Sequence, residues 1–269
     1  MTDTPLSAAE LVAAVPALAR YLRPATLLHP YAAPDADPRG GRIGGPALWP
    51  VGEPWPHCAA GHPEDEYGFP RKVTEEPAAA TALVPLAHLR VEDAPHLPWP
   101  EGTDRLQVLW CPNDHDDIQG ERFYYGPAVE LRWQRAADLA PATPPPPRRS
   151  EEEYLPQPCA LRPEQVLDLP DRDDLPGELN RAVEEFAARQ GLEYERDPGR
   201  ADGWKLGGWP SWHSTDLIAV DCGRCGERMA HLLTVESGGD PDLSVGRHGE
   251  LHVFVCPVDV AHPVGLDLQ

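Results

Sequence analysis

Cys222-Gly-Arg-Cys225 sets two thiols at C-x2-C spacing. Such a knuckle lets two thiolates converge on one ion, and Gly223 and Gly226 suit the tight turn that this requires. Cys256 supplies a third thiol at the end of an apolar run, and Asp259 and His262 follow it as candidate fourth ligands. Zinc accepts sulfur, imidazole and carboxylate in a tetrahedral shell, and thiolates select it over magnesium or calcium. A second set comes from Cys58, His62, Cys111 and His115, two Cys-x3-His pairs that together would make a Cys2His2 shell. Cys159 has no partner at ligand spacing and reads as a buried thiol.

Metal catalysis would need three protein ligands, a water and a nearby base. The set around Cys222 meets that description if water, rather than Asp259 or His262, completes it. His115-Asp-Asp117 places acids beside a candidate ligand, but this stretch reads as a solvated loop. The chain contains no H-E-x-x-H, G-x-S-x-G, phosphate loop or dinucleotide fingerprint, so no catalytic residue is assigned. A redox C-x2-C would open a helix after a strand; Arg224, Glu227 and Arg228 give no apolar helical pattern.

These donors must be positioned by short elements. The 34 prolines and 23 glycines exceed a fifth of the 269 residues, which favours short strands, turns and irregular loops. Ser7-Ala-Ala-Glu10 is a capping box, and apolar spacing from Leu11 to Leu22 predicts a helix over 8–21, ended by Pro24. A second helix is expected over 178–190, with Gly191 terminating it. Strands are expected at 82–90, 105–110, 128–134, 217–220, 230–235 and 250–255.

Three segments recur in the same order. Arg42-Ile-Gly-Gly-Pro-Ala-Leu-Trp matches Lys205-Leu-Gly-Gly-Trp-Pro-Ser-Trp; Leu86-Ala-His-Leu-Arg-Val matches Met229-Ala-His-Leu-Leu-Thr-Val; and Arg105-Leu-Gln-Val-Leu-Trp-Cys-Pro matches Glu250-Leu-His-Val-Phe-Val-Cys-Pro. The expected fold is α+β, with mostly short antiparallel strands in two related, mutually packed halves. The halves would be 1–139 and 154–269, joined by a proline-rich linker over 140–153 that favours polyproline II, in one compact unit.

The formal net charge of −21 disfavours binding to nucleic acid. No signal peptide or membrane-spanning run is found, so the expected location is the cytoplasm, where thiols stay reduced and serve metals before disulfides. A protein partner is compatible with the acidic surface, and the chain is expected to be a monomer or weak homodimer.

The ordered set IGGPALWP, PLAHL, PEGTDRLQVLWCPNDH, KLGGWPSW, CGRCGERMAHLLTV and GELHVFVCP resembles the DUF1963 (YwqG-like) family, in particular its cysteine-containing actinobacterial branch, over roughly residues 40–262. The resemblance implies an α+β fold rich in antiparallel strands and assigns no activity. It also implies a C-x2-C pair at the end of the last strand; Asp259 stands at the second position here.

The expectation from these features is a non-enzymatic protein-binding or scaffold module holding one or two structural zinc ions. Two alternatives remain: a zinc-dependent hydrolase with an open site, and an immunity or antitoxin-like protein whose acidic surface binds a basic toxin.

Overall fold

A computed structural model describes residues 6–58, 80–116, 124–147, 150–191, 199–215 and 217–269. The fold is α+β and mostly antiparallel. Its strands are β1 (Arg23–Leu27), β2 (Tyr31–Ala32), β3 (Arg42–Ile43), β4 (Ala47–Pro50), β5 (His57–Cys58), β6 (Thr81–Ala82), β7 (Val84–Arg90) and β8 (Arg105–Asp116). There follow β9 (Tyr125–Gln134), β10 (Leu139–Ala142), β11 (Cys159–Ala160), β12 (Glu164–Asp168), β13 (Lys205–Gly207), β14 (Ala230–Glu236), β15 (Glu250–Val255) and β16 (Gly265–Leu268).

The Ser7 box forms as expected: the Ser7 hydroxyl accepts from the Glu10 amide and the Glu10 carboxylate accepts from the Ser7 amide. The helix it starts, α1 (Ala8–Ala14), stops earlier than the apolar spacing predicts. Pro16 has no N–H to donate and disfavours helical geometry at Val15, so the chain continues as a 3-10 turn over Pro16–Tyr21. The second helix, α2 (Gly177–Arg189), falls where expected, and Gly191 follows its cap with φ 71. Leu11, Leu18, Leu169, Leu179 and Val183 bind these helical pieces into one apolar cluster beside the edge strand β12.

Two six-stranded sheets carry the rest. The first runs β2-β11-β3-β7-β8-β9 and the second β12-β1-β13-β14-β15-β16. They pack face to face through Ile43, Leu89, Leu106 and Val108 on one side and Leu206, Leu233, Val253 and Leu266 on the other. Each fully buried leucine in that layer contributes about 1.5–3 kcal/mol relative to exposure. The two orders share a pattern. In both, two short strands lie beside the glycine-turn strand (β3 or β13), followed by three strands in a meander.

Each sheet borrows a strand across the chain. β1, near the N-terminus, pairs with β13, while β11, from beyond the proline stretch, pairs with β3. Contiguous halves therefore do not form separate sheets. The stretch expected as a polyproline linker also begins as a strand, since β10 pairs with β4. Beyond it, Glu151 donates its amide to the Pro112 carbonyl, and Tyr154 is buried with its ring against Trp110.

Register corrects one of the three matches. Arg42 lies opposite His88, and Lys205 lies opposite Thr234. His88 in turn faces Gln107, and Thr234 faces His252. Thr234, not His231, therefore holds the place of His88, so the Ala-His-Leu match is displaced along the strand. The strand expected over 217–220 does not form; the pairing that follows it is an isolated bridge between Asp221 and Arg228.

Outward-facing residues form a row across each sheet. In the first it reads Ala160, Arg42, His88, Gln107, Arg132, and in the second Leu27, Lys205, Thr234, His252, Asp267. Alternation along a strand would send these side chains to water, yet Arg42, His88, Gln107, Lys205, Thr234 and His252 are all buried.

Candidate metal centres

The strands deliver the sulfur donors to the outer faces, past the ends of the rows. On the second sheet, the Met229 amide donates to the Val220 carbonyl at 2.9 Å, the Cys222 amide to the Glu227 carbonyl at 2.8 Å, and the Gly226 amide to the Cys222 carbonyl at 2.8 Å. Those bonds fold Cys222–Glu227 into a tight knuckle. Gly226, with φ 75, supplies the left-handed residue that the turn needs. β15 ends at Cys256, and a turn over Pro257–Ala261 returns His262 to the same spot.

Cys222, Cys225, Cys256 and His262 thus offer four ligand atoms within 4.8 Å of one another and could hold a metal ion. Cys222 Sγ lies 3.4 Å from His262 Nδ1, and Cys225 Sγ lies 3.5 Å from Cys256 Sγ. Donors around one tetrahedral zinc, at about 2.3 Å for sulfur and 2.0 Å for nitrogen, stand roughly 3.5–3.8 Å apart. The donor set and its spacing fit zinc. Asp259 falls outside the four: its Oδ1 accepts the Ala261 amide at 2.9 Å, and its Oδ2 lies 3.8 Å from His262 Nε2. The carboxylate thus stands on the side of the imidazole away from Cys222, where closing to hydrogen-bond distance would let it orient the ring.

Electrostatics favours a thiolate here. Burial opposes ionisation of Cys222, but the amides of Arg224 and Cys225, the Cys225 thiol and the His262 ring outweigh it and hold the thiol at about 6, against an ordinary 9.0. At Cys225 the Glu227 amide acts in the same direction, but burial and the neighbouring sulfurs of Cys256 and Cys222 leave that thiol above its ordinary value. Cys225 is exposed, whereas Cys222 and Cys256 are buried with Val220, Met229 and Phe254 under Trp212.

A second cluster occupies the corresponding place on the first sheet. The Leu83 amide donates to the Pro56 carbonyl at 3.1 Å, β5 pairs with β6, and β8 runs on to Cys111 and His115. Cys58, Cys111 and His115 offer ligand atoms within 4.8 Å of one another, and all three are buried. Cys58 Sγ lies 3.7 Å from His115 Nε2. Asn113 Nδ2 points at Cys111 Sγ from 3.5 Å, a partner that the spacing did not suggest. Contact with Cys58, reinforced by burial, pushes the Cys111 thiol upward. Trp49, Leu83 and Leu109 surround the sulfurs, with Trp55 tilted against Trp49 at 4.7 Å between ring centroids. His62 and Asp117 lie outside the described residues. Cys159 is buried and belongs to neither cluster.

Residues that pattern alone did not single out include a buried ion pair. Lys205 Nζ donates to Asp168 Oδ2 at 2.9 Å and to the Ala201 carbonyl at 2.7 Å. Asp168 also accepts the amides of Ala201 and Trp209. Beside them runs a polar chain from the Gly207 carbonyl through His231, Thr234 and His252 to the Ser211 carbonyl. Burial holds His252 at about 3 and drives His231 well below its ordinary value, so both are neutral at pH 7.

No family model matches the chain, and no curated protein matches it. Among the described residues, no helix is long and apolar enough to cross a membrane.

Proposed function

We propose that this chain is a non-enzymatic, protein-binding module of the cytoplasm whose two sheets are fastened at their outer faces by structural zinc. One observation carries the metal part: four donors from three separate segments converge with tetrahedral spacing around Cys222. Four protein donors fill a zinc shell, and a filled shell has no position for a reacting water. That favours a staple over the hydrolase alternative.

The similar strand orders and the equivalent hydrogen bonds accepted by Pro56 and Val220, each two residues before a cysteine, support an origin as two repeated units, each with its own centre. The likeness to the DUF1963 family rests on the quoted motifs. The net charge of −21 is the feature that would recommend the surface to a basic protein partner.

Mass spectrometry of protein purified without added metal tests the proposal. Between one and two zinc equivalents are expected, and Cys256→Ser should remove one of them. Less than about half an equivalent in the unaltered protein overturns it. Because thiolate coordination contributes folding free energy, a chelator should also lower the melting temperature.

A further inference from the structure

The two outward rows place a buried cation at the same position, and among the described residues only one of those cations forms an ion pair with a carboxylate. In the second sheet Lys205 is 2% exposed and is paired with Asp168. In the first sheet the corresponding residue, Arg42, is 3% exposed. Its Nη1 donates to the backbone carbonyls of Pro38 and Gly40, and no carboxylate among the described residues forms an ion pair with it. Asp37 acts on it only from longer range, and burial lowers its ordinary value to about 10, so the group stays charged at pH 7.

His88 is Arg42's neighbour in register and is also 3% exposed, and neither of its ring nitrogens has a hydrogen-bond partner among the described residues. The other charges nearby are engaged. Arg90 is bound to Asp93 and Glu92, and Arg105 to Glu92 and Asp104. Asp93, itself buried, accepts from the Arg90 amide, Nε and Nη2. Burial, with Arg42, Arg105 and Arg90 adding to it, holds His88 at about 3. A neutral ring keeps one N–H to donate.

A buried polar group without a partner and a buried charge whose counter-charge is only distant are both disfavoured. A water molecule would meet the hydrogen-bond deficit and leave the charge. An acceptor carrying one negative charge meets both. We propose that Arg42 and His88 together bind a small inorganic monoanion, chloride under cellular conditions, which serves Arg42 as Asp168 serves Lys205. Neither residue belongs to a cysteine cluster, so the site stands independently of the zinc proposal.

Crystals of the full chain soaked in bromide provide the first test. An anomalous peak is expected within hydrogen-bond reach of the Arg42 guanidinium and the His88 ring; a water there with no anomalous signal overturns the site. In solution, chloride should raise the melting temperature above that in gluconate at equal ionic strength, by about 2–4 °C near saturation. Arg42→Met should abolish the difference. Should that variant fail to fold, His88→Phe, which keeps a ring in the layer, should reduce it. A bromide peak in the crystal with no chloride dependence in solution would mean an adventitious ion only, and would also overturn the proposal.

Discussion

The two cysteine clusters start from the same backbone arrangement and finish differently. Each has a cysteine held by a short antiparallel pairing and another at the end of a long strand. Around Cys222, the knuckle closes at once and returns Cys225, and a turn after Cys256 adds His262. Around Cys58 the described donors are three, and all are buried, whereas Cys225 meets solvent. The rows beside them differ as well: Lys205 has Asp168, while Arg42 has backbone carbonyls. A shared strand frame thus fixes where donors and charges sit. The connecting turns and single acidic residues decide how completely each place is satisfied.

Removing the acid that distinguishes the rows should have the largest effect. Asp168→Asn leaves Lys205 buried without a counter-charge, and a loss of about 3–5 kcal/mol is expected in urea unfolding. A loss below about 1 kcal/mol would mean that the second sheet does not depend on the Asp168 charge, and the contrast would collapse.

Asp259→Asn probes the difference between the clusters. It keeps the turn but removes the carboxylate behind His262. Zinc affinity measured by competition with a calibrated chelator should fall about 10–100-fold at the Cys222 cluster and stay unchanged at the Cys58 cluster. An equal fall at both would deny Asp259 a local role.

The most gradual effect, spread over several pH units, concerns the buried histidine of the second row. His252 titrates at about 3 in the folded protein against an ordinary 6.5, so the unfolded chain takes up its proton first. The stability associated with the neutral ring is complete above pH 6.5 and is lost as pH falls toward 3, by about 1.4 kcal/mol per pH unit. The slope of unfolding free energy between pH 6 and 4 should flatten by that amount in His252→Gln relative to the unaltered protein. Parallel slopes would show that the ring is protonated in place.

Much of the scaffold was legible because period and punctuation are local. The capping box, α2, the long strands and the cysteines at their ends all lay within windows that pattern can read. Pro16 was a local signal too, and it outweighed the apolar spacing that ran through it. What pattern could not reach was set by distant partners. His262 rather than Asp259 joins the sulfurs because of how the turn over Pro257–Ala261 closes. The displaced Ala-His-Leu match shows that similar letters need not occupy similar rungs. Arg42, His88, Lys205 and His252 look solvated by alternation, because covering of a sheet's outer face leaves no mark in the strand itself.

The borrowed strands constrain how the molecule can be made. β3 meets β11 only after the proline stretch has emerged from the ribosome, and β1 waits for β13 much longer. Until then both sheets have open edges, and open edges invite pairing with the wrong chain. A nascent chain stalled in the proline stretch therefore has no finished sheet to fall back on. Closure late in synthesis and slow, long-range assembly are built into the order of the strands.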